Sequence, residues 1–171
     1  MILPTIAITI HSSEKRPAGH SYLENLLKSI LKQKNKIRNV VIVDNQSSPP
    51  VESTEYFQTF KLEVETKLVR IENQFKKGLT GAWNTAIRTS FENGAEIVVN
   101  CNDDLLIHES IGNFTSWANT NTNAFVCGPI TNDGGTGDKL RKLSNTKYGN
   151  FQFINDQYPK LNEHAKKIWK Q

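Results

Sequence analysis

With 171 residues, 37% of them hydrophobic and 22% charged, the chain can bury the core of one globular domain without disulfide or metal staples. No apolar run approaches the roughly 20 residues of a membrane span, and the opening MILPTIAITIHSS has neither the basic region nor the small-residue cleavage site of a secretory signal. The formal charge of +4 is modest and spread over scattered lysines, a pattern that suits a solvated surface or an anionic small molecule and gives no reason to expect nucleic acid.

TIAITI (5–10), between Pro4 and the polar HSSEKRPAG, reads as a first strand. Ser21-Tyr22-Leu23-Glu24 has the form of a capping box, and Leu23, Leu26, Leu27, Ile30 and Leu31 follow at helical spacing. NVVIVD (39–44) is a continuous apolar run, as in a strand covered on both faces. DNQSSPP stops it, because prolines cannot continue a ladder. A short helix is expected over 53–62 and a third strand at KLVRIE (67–72).

From Gly78 to Asn93 the pattern is helical, with Leu79, Ala82, Trp83, Ala86, Ile87, Ser90 and Phe91 on one face and Asn93-Gly94 as the stop. EIVVNC (96–101) reads as a fourth strand. A helix carrying Ile111, Phe114, Trp117 and Ala118 follows, then AFVCGP (124–129) as a fifth strand. The polar, glycine-rich NDGGTGDKLRKLSNTKYGN beyond it reads as a loop or lid. Cys101 and Cys127 are too few for a disulfide framework and lie in apolar segments, which points to a reducing, cytoplasmic setting.

Strands alternating with helices at this spacing predict an α/β fold, a three-layer sandwich around a mainly parallel, Rossmann-like sheet. Ligands of such sheets bind outside the carboxyl ends of the strands. The loop His11-Ser12-Ser13, Asp44 after the second strand, and Asp103 and Asp104 after the fourth therefore collect at one edge. Neighbouring carboxylates there suit a hard divalent cation, Mg²⁺ or Mn²⁺, shared with a phosphorylated ligand. The plainer alternative is that they cap the helix beginning near His108-Glu109-Ser110.

Asp44-Asn45 fits a turn as well as it fits the edge of a nucleobase. Lys76-Lys77-Gly78 before a helix can attract phosphate or be an ordinary exposed turn. The four histidines lack zinc spacing, and GxSxG, Walker A and GxGxxG are absent.

Taken in order, TIAITIHSS, NVVIVDNQSS, VRIENQFKKGLTGAWNTAI and GAEIVVNCNDDLLI resemble the first half of a GT-A glycosyltransferase of the family 2 type. The resemblance runs from residue 4 to about residue 130. It implies one GT-A-like domain over 1–171, with a nucleotide-sugar-binding half (1–130) and a loop with a short acceptor-side segment (131–171). It assigns nucleoside contacts to Thr9, His11, Asp44 and Asn45, with Lys77 near phosphate. It assigns a ribose or sugar contact to Asp103 and the direct metal ligand to Asp104.

FINDQYPKLNEH (153–164) resembles the acidic acceptor-side segment of that family, which makes Glu163 and Asp156 the candidate catalytic bases. Asp133 and Asp138 are rivals for that role, and Lys139 or Arg141 could bring charge to the donor phosphates. Two departures stand out. Trp83 occupies a position where the family often has arginine, and Asn102 replaces the first carboxylate of an Asp-x-Asp motif.

The resemblance thus implies a metal-dependent transferase, using Mn²⁺ or Mg²⁺. It would move a sugar from a nucleotide diphosphate sugar, a UDP-sugar first, to an acceptor hydroxyl with inversion. The acceptor, whether a glycan, a protein-linked sugar or a lipid-linked one, is left open. Against it stand a nucleotidylyltransferase, for which HSSEKRPAG is a poor match, and a sugar-nucleotide or glycan-binding module without catalysis. The second half is short for a complete enzyme, so a donor-binding fragment of a larger transferase belongs with that last reading.

Overall fold

β1 (Thr5–Ile10) and β2 (Asn39–Asp44) are buried along their whole length, as continuous apolar runs covered on both faces must be. In the computed structural model, which describes residues 1–71 and 78–121, β3 (Thr66–Arg70) pairs outside β2 and β4 (Val98–Asn102) outside β1. The order is β3-β2-β1-β4 and every pairing is parallel. The fold is α/β, a parallel sheet between helices, as the alternation of elements predicts. The expected fifth strand, the glycine-rich loop and the segment carrying Asp156 and Glu163 lie outside the described residues.

Register explains where two strands depart from their sequence bounds. β3 stops at Arg70 because its partner Asp44 is the last residue of β2. β4 starts at Val98, opposite Thr5, while the Thr5 N–H already reaches back to Ile97 O at 2.9 Å.

Helices cover both faces. α1 (Gly19–Leu31) and α2 (Glu55–Glu63) bury Leu23, Leu26, Ile30, Phe57 and Phe60 against Ile6, Ile8, Ile10, Val40 and Ile42. Each such side chain contributes about 1.5–3 kcal/mol of burial. Ile111, the first residue of α4 (Ile111–Thr120), joins the same cluster. α3 (Gly78–Glu92) packs on the opposite face through Ala82 and Ala86 against Ala7 and Val43. Its buried stripe is narrower than the sequence pattern suggests: Ala82, Ala86 and Ser90 are buried, whereas Leu79 and Phe91 are exposed.

The capping box at Ser21 is not used. α1 begins two residues earlier, after Ala18, with no side-chain cap. Gly19 permits that start, since a Cβ there would lie 2.7 Å from His11 O and 2.9 Å from Ser12 Cβ. Glu24 pairs instead with Lys28 one turn on, at 2.7 Å. The helix is thus anchored by the tight approach of its first turn to the loop after β1, and that loop borders the candidate site.

Candidate functional site

At the end of β2 the turn is organised by a buried carboxylate. Asp44 is 1% exposed. Its Oδ1 accepts from Ser47 N–H at 2.8 Å, while its Oδ2 accepts from Val51 N–H at 3.0 Å and from the Arg70 guanidinium at 2.8 Å. Arg70 also reaches Ser47 O at 3.3 Å. These bonds support a tight turn in which Gln46 takes a left-handed φ of 57° and the Ser48–Pro49 peptide is cis.

The loop after β1 is stitched to that turn. Asn45 N–H donates to Ile10 O, Ser12 N–H to Ser47 Oγ and Ser48 N–H to Ser12 O, at 2.8, 3.1 and 2.9 Å. His11, exposed at the rim, bonds Asn45 O through Nδ1 at 2.8 Å. Because a carbonyl can only accept, Nδ1 carries the proton.

Across β1, the loop following β4 meets the same region. Asp103, 3% exposed, receives a bidentate pair from Arg16: Nη1 to Oδ2 at 2.6 Å and Nη2 to Oδ1 at 2.7 Å. Arg16 also donates to His11 O at 2.7 Å and lies over the Tyr22 ring. Its pKa is raised above the ordinary arginine value, first by the hydrogen bonds to Asp103. Asp104 is different: exposed, it makes no hydrogen bond or ion pair among the described residues, and only its field reaches Arg16. Neither aspartate caps α4, which begins seven residues beyond Asp104.

Asn102, half-buried at the end of β4, accepts through Oδ1 from the Trp83 indole N–H on α3 at 3.0 Å. The two departures from the family pattern therefore touch each other. Asn102 is the register partner of Thr9 on β1. Alternation along each strand puts both on the α3 face, with Ala7 and Val98. Thr9 Oγ1 and Asn45 Oδ1 are buried and have no hydrogen-bond partner among the described residues. Leaving such atoms unpaired costs about 1–3 kcal/mol each. On the opposite face Cys101 packs into the core, and burial pushes its thiol up to about 12.

Thr9, His11, Asp44, Asn45, Asp103 and Asp104 thus all stand at the ends of β1, β2 and β4 or in the loops that follow them. Lys77, Asp156 and Glu163 lie outside the described residues. Among those described, no group of three or more His, Cys, Asp or Glu side chains converges as a ready-made metal cage. Arg16 and Arg70 are contributions that sequence reasoning missed. The signal for Arg16 was a cation in the loop after β1, but its partner becomes evident only once β4 is known to lie beside β1.

The Glycosyl transferase family 2 model matches residues 6–167. The chain belongs to glycosyl transferase family 2. No curated protein matches it significantly. Among solved structures it is similar to S. aureus TarS 1-349, with a TM-score of 0.51 and 22% identity over 71% of this chain and 33% of that one. It is also similar to S. aureus TarS 1-349 in complex with UDP, with a TM-score of 0.57 and 19% identity over 85% of this chain and 43% of that one. At such identities the likeness is one of fold. The chain spans less than half the length of these structural relatives. Among the described residues, no helix of this family 2 chain is long and apolar enough to cross a membrane.

Proposed function

We propose that the chain transfers a sugar from a nucleotide diphosphate sugar, a UDP-sugar first, to an acceptor hydroxyl. The observation that carries this reading is the pair of buried, unpartnered polar atoms, Thr9 Oγ1 and Asn45 Oδ1, at the strand-end edge. Native proteins pair nearly all such atoms, and a ligand that pairs them removes the cost of leaving them bare. An acceptor at Asn45 Oδ1 suits the imide N–H of uracil or thymine, and Thr9 Oγ1 can take either role. The TarS structure holding UDP supports the same donor class. Asp44, its carboxylate engaged by Ser47, Val51 and Arg70, acts on the nucleoside by fixing the turn that presents Asn45.

The donor set also fits a divalent cation bound together with a diphosphate. Asp104 offers an unpaired, exposed carboxylate, and Mg²⁺ or Mn²⁺ at phosphate sites commonly takes one or two carboxylates with phosphate and water completing the shell. Asp104 would hold the ion, which when bound neutralises charge on the leaving diphosphate. Asp103, the position to which the family resemblance gives a ribose or sugar contact, is held by Arg16 and acts by fixing the loop that presents Asp104, and Lys77 adds positive charge near the phosphates.

Glu163 or Asp156 takes the acceptor hydroxyl's proton. The acceptor oxygen then bonds to the anomeric carbon as the bond to the diphosphate oxygen breaks on the opposite side, inverting the centre. The acceptor is a glycan or a protein- or lipid-linked sugar, and the setting is cytoplasmic. The alternative is a sugar-nucleotide- or glycan-binding module without transfer, or the donor-binding part of a larger transferase.

Calorimetric titration with UDP, GDP and dTDP, with and without Mn²⁺, tests the donor site in the wild type and in Asp104→Asn. Metal-dependent binding of one diphosphate, lost in the variant, is expected. Failure of all three to bind the wild type sinks the reading. Slow hydrolysis of the matching nucleotide sugar separates a transferase from a binding module.

A further inference from the structure

Trp83 and Asn102 form a neutral pair at the end of β4 on this edge, and the chemistry of the pair fixes which way the amide faces. An indole N–H can only donate. The Asn102 atom 3.0 Å from Trp83 Nε1 is therefore the carbonyl oxygen, and the amide –NH₂ points away from the indole. That –NH₂ makes no hydrogen bond to any described residue. Its register neighbour on β1 is Thr9, whose buried hydroxyl is also unpartnered. Neighbouring strands lie about 4.8 Å apart, so the two side chains border one patch of the α3 face.

The oxygen of Asn102, the only atom of its side chain able to ligate a hard cation, is already held by Trp83. Directly after it, Asp103 is held by Arg16, and Asp104 alone of the three stays free.

We propose that Asn102, oriented by Trp83, donates through its amide to an oxygen of the bound nucleotide and stands outside the cation's ligand set. The inference rests on the donor-site reading above and deepens it. The acceptor is a ribose hydroxyl or a phosphate oxygen; both offer the same chemistry to an N–H donor. Trp83 is a positioning residue: it touches Asn102 and sets the direction of the donor.

Asn102→Asp is the discriminating variant. The carboxylate still accepts from the indole, so packing is retained, while the outward donor becomes a negative oxygen. Calorimetry with UDP, with GDP and dTDP alongside, is run on the full chain at saturating Mn²⁺, together with thermal melts. Asn102→Asp is expected to bind the wild type's preferred diphosphate about tenfold more weakly at an unchanged melting temperature, the scale of one hydrogen bond exchanged for repulsion. Trp83→Phe, which frees the amide to rotate, is expected to lose about threefold.

Titration with the free nucleoside separates the two acceptors. An equal loss for uridine and UDP identifies the ribose, and a loss for UDP alone identifies the phosphate. Unchanged affinity in Asn102→Asp overturns the donor contact. Tighter binding in Asn102→Asp places the position inside the cation's shell and overturns the proposal as well. A wild type that binds none of the diphosphates removes the donor site itself, a failure distinct from either.

Discussion

Arg16 and Asp103 give the sharpest test of how this edge is held together. Asp103 has 4% of its side chain exposed and Arg16 has 37%, and two hydrogen bonds of 2.6 and 2.7 Å join them. Opposite charges about 4 Å apart attract by about 4 kcal/mol at an effective dielectric of 20. Water reaches the outer part of Arg16, so roughly half of that is a fair expectation for the coupling, about 2 kcal/mol. Arg16→Ala alone should cost more, about 3 kcal/mol, because it leaves Asp103 buried without its counter-charge and cuts the bond to His11 O.

Asp103→Asn should cost less, since an amide is cheaper to bury than an orphaned carboxylate. Equilibrium urea unfolding of the two single variants and the double variant, followed by far-UV circular dichroism, yields the coupling directly. High salt should shrink it only partly, because the acidic partner is screened from solvent. A coupling below about 0.5 kcal/mol, the range of a solvent-exposed ion pair, would refute the claim that this bridge organises the loop.

Three further outcomes follow from packing and burial. Gly19→Ala should destabilise by about 1–3 kcal/mol despite alanine's better helix propensity, because its Cβ would meet His11 O at 2.7 Å; an unchanged melting temperature would refute that contact. Cys101, its thiol pushed up to about 12 by burial, should resist iodoacetamide at pH 8 in a Cys127→Ser background and react once urea unfolds the chain. Tyr56 is pushed up to about 12, chiefly by burial, from an ordinary value of 10.0. The fold therefore favours the protonated phenol, so its contribution is complete below pH 10.0 and is lost as pH rises through about 12. Tyr56→Phe should flatten that part of the urea-midpoint profile, and an identical slope in the variant would refute the burial argument.

Much of the sheet was legible because its strands are continuous apolar runs. TIAITI and NVVIVD form strands over the same residues that the runs span, since burial on both faces leaves no ambiguity of phase. The outer strands were less so. β3 has no fully buried residue, with Lys67 and Arg70 exposed and the rest half-buried, and the end of β2 sets its length more than its own composition does. The start of α1 was misread for a related reason. A capping box is a local signal worth about 1 kcal/mol, whereas the approach of Gly19 to the His11 backbone is a tertiary constraint that sequence spacing does not display.

The same distinction governs the site. Alternation of strands and helices was enough to gather Asp44, Asp103 and Asp104 at one edge, yet it says nothing about which of them is free to act. Two of those carboxylates are occupied by arginines from other loops or strands, Asp44 by Arg70 and Asp103 by Arg16. A buried carboxylate without such a partner would be too costly to keep, so the most acidic positions of the motif had to acquire internal counter-charges. The atoms left over are the exposed carboxylate of Asp104, the amide of Asn102 and the bare oxygens of Thr9 and Asn45. Chemistry with an outside molecule belongs to groups that the fold has not already satisfied. By that criterion the site offers a phosphorylated ligand one free negative group and several neutral polar ones, and most of the negative charge to be neutralised arrives with the ligand itself.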